Sequence, residues 1–135
     1  MDLNSVREEH DAAFEAEEAA DELVYPNVLA FVDDHLSLLY QRRIDDEGRS
    51  KAFVWCGQWW RHPEAVSRLT GLWRAWESLR KDPTTGLAVW WRDYADPMVR
   101  ALFDEQGTFQ GCTPKTHAPK VTPLTTVPPP EGLFD

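Results

Sequence analysis

The chain is short of the features that define several protein classes. It has two cysteines in 135 residues, Cys56 and Cys112, too few for a disulfide-built scaffold. It has no apolar run near the roughly 20 residues that a membrane-spanning helix needs, and its acidic N-terminus lacks the basic flank and apolar stretch of a secretion signal. A soluble, cytoplasmic protein is therefore expected, with no membrane contact and with reduced thiols. The two cysteines are then core residues, metal ligands or reactive groups. Signature motifs of enzymes are missing as well. There is no phosphate-cradling glycine loop, no Gly-x-Ser-x-Gly elbow and no His-Glu-x-x-His. A non-enzymatic role is expected.

Charge is unevenly distributed. Residues 1–24 hold nine acids against Arg7 alone, so most of the formal net charge of −9 belongs to this arm. Acid without apolar periodicity reads as a disordered arm over 1–24. Residues 49–81 have the opposite balance, with seven Lys/Arg against Glu64 and Glu77. Proline is concentrated at the other end, with six of the ten prolines in the last 22 residues. Pro128-Pro129-Pro130 favours polyproline II, and residues 113–135 read as a proline-rich tail ending in the apolar pair Leu133-Phe134.

Between arm and tail, residues 25–112 carry helical periodicity, and the fold class expected is all-α, or mostly α. Pro26 opens a first helix whose apolar face is Val28, Phe31, Val32, Leu36 and Leu39. Arg42 and Arg43 suit its last turn, and Asp45-Asp46-Glu47-Gly48 ends it. Residues 49–61 read as extended. A second helix starts at Pro63, with His62 as its N-cap and Glu64 favoured by the dipole in its first turn. Leu69, Leu72, Trp73, Trp76 and Leu79 form its apolar face, and Arg68, Arg74, Glu77, Ser78 and Lys81 lie off it. Asp82-Pro83-Thr84-Thr85-Gly86 is a turn. Leu87 to Tyr94 forms a short helix, and Asp96-Pro97 starts a separate one that supplies Met98, Leu102 and Phe103 to the core.

Five of the seven tryptophans fall between Trp55 and Trp76, among Cys56 and His62. A buried indole needs a partner for its N–H, so this stretch is a specified core or a specified binding surface. Adjacent tryptophans in one element cannot both face one core, which leaves Trp59, Trp60, Trp90 and Trp91 as candidates for exposure. Trp59, Trp60, Arg61, Trp91, Leu133 and Phe134 are the candidate interaction residues. Cys56 and His62, with Cys112 and His117, make a Cys-x5-His and Cys-x4-His set, the donor inventory of a structural zinc site. The alternative is a core thiol, a helix cap and two loop residues.

The pattern Trp55-Cys56-x-x-Trp59-Trp60-x-His62-Pro63-Glu64-Ala65, then Arg68-Leu69 and Leu72-Trp73-Arg74-Ala75-Trp76-Glu77, resembles an actinobacterial family catalogued as domain of unknown function 4913. Gly86-x-x-x-Trp90-Trp91-Arg92-Asp93, Asp96-Pro97, Gly107-x-Phe109-x-x-Cys112, His117 and Pro128 to Phe134 extend the likeness over residues 25–135. The resemblance implies a protein carried by actinobacterial chromosomes, plasmids, integrative elements or phages, with no activity implied. The chain departs from the family at Tyr94 and Met98, where histidines are common. Any chemistry of those histidines is absent here. The function expected is an accessory or interaction protein of a mobile element or phage with an unknown protein partner. The runner-up is a zinc-stapled domain that binds nucleic acid, since bases stack on aromatic rings and arginines contact phosphates.

Overall fold

The computed structural model describes residues 22–42, 44, 53–118 and 122–135. Among these residues there are three helices, a short 3-10 turn and no strand, as the periodicity predicts. Most of the expected arm, the Asp45-Asp46-Glu47-Gly48 stop signal and Arg43 lie outside the described residues.

Helix α1 runs through Val28–Phe31, a π-helical turn at Val32–Leu36 and a last turn at Ser37–Leu39. It starts one residue after Asn27, not at Pro26. Asn27 is extended, and its side chain accepts the Ala30 N–H at 2.9 Å, the bond an N-cap supplies to an unpartnered donor. Leu39 is the last helical residue, so Arg42 lies beyond the helix rather than in its last turn. Phe31, Val32 and Leu36 are buried, while Val28 packs at the core's edge. Leu39 is exposed, a second departure from the expected face.

Helix α2 spans Pro63–Leu79, with His62 at the N-cap position and Glu64 in the first turn, as expected. His62 makes no capping bond with its side chain, which leaves the imidazole free for other contacts. Ala65, Leu69, Leu72 and Trp76 are buried at three- and four-residue steps, and Trp73 and Leu79 flank them half-buried. After α2, Asp82 organises the turn by accepting the Thr84 N–H at 2.9 Å and the Thr85 hydroxyl at 3.0 Å.

Helix α3 corrects the expectation of two separate helices. Gly86–Val89, a π-helical segment at Trp90–Ala95, and Asp96–Phe103 follow one another without a break. Residues 95 and 96 are both right-handed helical, and the Asp96 N–H donates to the Trp91 carbonyl, which continues the helix. Proline inside a helix lacks an N–H and presses on the carbonyl four residues back. Here the wide π segment ends at Ala95, two positions before Pro97, and the helix continues through the signal instead of restarting. Trp90 is fully buried between α2 and α3, and its indole N–H donates to the Leu72 carbonyl at 3.0 Å. Leu87 is exposed, and Val99 joins Leu102 and Phe103 inside.

Glu77 also departs from the expected solvent-facing position. It is only 4 % exposed, and it accepts the backbone N–H groups of Val24 and Tyr25 at 3.0 and 2.9 Å. The Trp73 indole at 3.2 Å and Arg80 at 3.0 Å complete its partners. Burial pushes its carboxyl pKa up, but these four donors outweigh burial and hold it below the ordinary value. The carboxylate thus fixes the chain that leads into α1 against the end of α2.

Candidate metal centre

Three segments meet at the N-terminus of α2. The first runs from Phe53 to Cys56 without forming a strand, and Val54 N–H donates to the Phe103 carbonyl at 3.0 Å. It leads into a 3-10 turn at Trp59–Arg61, which replaces part of the extended stretch expected over 49–61. The second is His62 at the head of α2. The third is the loop after α3, which passes Phe109 and Cys112 and turns back at Thr113–Thr116, where paired backbone bonds of 2.8 and 3.3 Å close it.

These segments bring the four expected ligands together. The donor atoms of Cys56, His62, Cys112 and His117 all lie within 4.8 Å of one another. His62 Nε2 is 3.2 Å from His117 Nδ1, and Cys56 Sγ is 3.4 Å from the same nitrogen. Cys112 Sγ lies 3.7 Å from His62 Nε2 and 3.8 Å from His117 Nδ1. Both cysteines and His62 are buried, and His117 is half-buried. Both cysteines are free thiols.

The surroundings position these atoms. His62 Nδ1 is 3.2 Å from the Thr108 hydroxyl, so the opposite nitrogen faces the cluster. Metal-ligating histidines are commonly oriented by such a partner on the far ring nitrogen. Phe109 meets the His62 ring edge-on, with centroids 4.9 Å apart, and Trp55 packs on Phe109 at 5.1 Å. The Ala118 N–H donates to Cys112 Sγ at 3.3 Å. At Gly57 the backbone approach is too close for a side chain. A Cβ there would lie 2.0 Å from the Pro114 carbonyl oxygen, and Gly57 N–H bonds the Thr113 carbonyl at 3.3 Å. This contact locks the Cys56 segment to the Cys112–His117 loop.

The surroundings shift the titration of His62 and Cys56. Burial lowers the His62 pKa, and His117 lowers it further, which keeps the ring neutral and able to ligate. Burial pushes the Cys56 thiol up to about 11, with Cys112 adding to the rise while the Gln58 N–H and Arg61 oppose it.

Thr108 and Gly57 are residues the sequence reading missed, and Phe109 enters it as part of a pattern without a role at the site. Phe109 stands three positions before Cys112, a spacing that gives a hint only once Cys112 is known to turn inward. The other candidate residues are not gathered in one place. Trp59, read as a candidate for exposure, is buried and offers no face to a partner. Trp90 is buried too, and Trp91 is half-buried against Tyr40 and Trp90. Trp60 and Arg61 are exposed, with the Arg61 guanidinium 5.8 Å from the Trp60 ring centre. Leu133 and Phe134 are exposed in the tail.

Three packed helices with a closed Cys2His2 cluster at the head of the second define a small helical domain able to hold a metal ion. A family described as domain of unknown function (DUF4913) matches residues 25–130, and the chain belongs to it. No curated protein and no solved structure matches the chain.

Proposed function

We propose that this chain is a non-enzymatic interaction protein whose helical domain is stapled by a structural zinc ion. The observation that supports this most is the cluster itself. Zinc bonds of about 2.3 Å to sulfur and about 2.05 Å to nitrogen imply tetrahedral edges of roughly 3.4 Å between nitrogens and 3.6 Å between sulfur and nitrogen. Four of the six separations, 3.2 Å for the nitrogen pair and 3.4, 3.7 and 3.8 Å for three mixed pairs, lie near those edges, and the whole set falls within 4.8 Å. Two thiols and two imidazoles are the usual donors of structural zinc, and four protein ligands leave no open position for a substrate. The ion would join the approach to α2, its first turn and the loop from which the tail departs. Protein purified without chelator should carry one equivalent of zinc; less than about a tenth of an equivalent would end the reading.

An interaction role fits the parts outside the staple: an acidic arm, an exposed Trp60–Arg61 turn, and a proline spacer ending in exposed Leu133 and Phe134. No helix among the described residues is long and apolar enough to cross a membrane. The cytoplasmic setting is a reading of the sequence, and it is one in which thiols stay reduced. The placement on an actinobacterial mobile element or phage rests on the sequence resemblance.

Nucleic-acid binding is the second reading, and the exposed Trp60 beside Arg61 favours it. The basic excess in residues 49–81 favours it less than the sequence suggests. Arg68, Arg80 and Lys81 are ion-paired with Glu64, Glu77 and Glu22. Affinity for single-stranded oligonucleotide that falls steeply with salt would support it, and a flat salt response would favour a protein partner.

A further inference from the structure

Of the seven tryptophans, Trp60 alone is exposed, at 56 %. Its mounting is a hydrogen-bonded turn. The 3-10 turn that carries it lies between two cluster residues, Cys56 and His62, with Arg61 N–H bonded to the Gln58 carbonyl and His62 N–H to that of Trp59, both at 3.0 Å. The neighbouring Trp59 is buried and anchors the turn from beneath. An exposed aromatic ring beside an arginine on a hydrogen-bonded turn is the kind of pair that recurs among the dominant residues of protein interfaces.

The tail offers a complement. Leu133 and Phe134 are 62 % and 83 % exposed. They follow a formed turn in which the Leu133 N–H donates to the Pro130 carbonyl at 3.3 Å and Gly132 takes a φ of +83°. A glycine at the third position of such a turn adopts this conformation without strain. The only charged residues in 122–135 are acids, Glu131 and Asp135, one on each side of the apolar pair. An apolar pair flanked by carboxylates matches an indole flanked by a guanidinium in both hydrophobicity and charge.

We propose that the Trp60–Arg61 turn binds the Glu131–Asp135 segment of a second copy of this chain. The chain's own tail is exposed, not seated on the domain. Residues 122–130 are exposed throughout and belong to no helix, and at about 3.1 Å per residue a polyproline spacer of that length reaches roughly 28 Å. Reciprocal exchange of two tails closes a two-fold dimer. The inference goes beyond the interaction reading by naming both faces of one interface and the partner.

Sedimentation equilibrium of the full chain over a range of concentrations tests it. Wild type should show a reversible monomer–dimer equilibrium. Trp60→Ala, Arg61→Glu and the double change Leu133→Ser with Phe134→Ser should each weaken dimerisation by about ten-fold or more, with no change in the thermal midpoint recorded at concentrations where wild type is monomeric, since all four side chains are exposed. Combining Arg61→Glu with Glu131→Lys and Asp135→Lys should restore it. A chain that stays monomeric at every concentration overturns the proposal, as does a dimer indifferent to these changes or one lost only when residues 1–21 are removed. Metal content measured on the same samples separates this proposal from the staple. A monomer with one zinc equivalent sinks the docking alone, while a tail-dependent dimer without zinc sinks the staple alone.

Discussion

Stripping the metal should cost the domain a large share of its stability, and the cost can be worked from the structure. A metal held by Cys56 and His117 closes a loop between residues 61 apart in sequence. A cross-link across a loop of that length is worth about 4 kcal/mol on a chain-entropy count. The same figure follows from mass action if free metal stands at about a thousand times its dissociation constant. For a domain near 100 residues, each kcal/mol moves the thermal midpoint by roughly 4–8 °C, so a strong chelator should lower it by roughly 15–30 °C. Calorimetry with and without chelator makes the measurement. His117→Ala is the cleanest variant, because His117 is half-buried and its loss removes a ligand without opening the core. It should reproduce the chelator's effect, and chelator added to it should do little more, since the two act on one interaction. Cobalt in place of zinc should give the intense visible bands of a tetrahedral thiolate site in wild type and lose them in the variant. A midpoint that moves by less than about 5 °C on chelation, or equal and additive losses from chelator and variant, would refute the reasoning.

Other perturbations test the neighbouring structure. Glu77→Gln should destabilise the domain by about 2–3 kcal/mol in urea denaturation, because Arg80 and the Val24 and Tyr25 amides lose a charged acceptor. Since the folded pKa of Glu77 is lowered, its contribution is present above the unfolded carboxylate range and lost as pH falls through the folded value. The variant should therefore flatten the acid limb of the stability–pH curve, and an unchanged limb would contradict that assignment. Gly57→Ala forces a Cβ against the Pro114 carbonyl, so it should cost about 1–3 kcal/mol and weaken metal retention in a competition assay. Phe109→Ala should cost about 3–5 kcal/mol by thermal denaturation and loosen His62, the ring it supports. Full metal affinity in that variant would separate Phe109 from the cluster.

How far these features were readable from the sequence depended on how local their causes are. Helix α2 was readable because its signals are local: Pro63 at the first position, Glu64 in the first turn and a regular apolar face. Glu77 was not, because three-residue periodicity assigns a lone carboxylate to water. The donors that bury it come from Val24 and Tyr25, more than 50 residues away. Asp96-Pro97 misled for a different reason. The pair is a fair start signal in an isolated segment, but packing of Trp90, Ala95 and Val99 on both sides of it holds one continuous helix. A π turn then absorbs the proline. Local preference yields where burial on both flanks is worth more than a cap.

The four ligands could be named from composition, but their convergence could not, because it depends on contacts that leave little mark in spacing. Gly57 against Pro114 and Phe109 beneath His62 set the register between segments about 50 residues apart. The same convergence decides the fate of the paired tryptophans. A 3-10 turn advances about 120° per residue, so neighbours cannot share a face. With Cys56 and His62 both drawn inward, Trp59 follows them into the core and Trp60 is turned out to solvent. The chain that closes the cluster therefore also fixes an exposed indole beside an arginine. The Trp60–Arg61 surface and the metal centre thus follow from one local geometry, and a change that opens the cluster should disturb the surface with it.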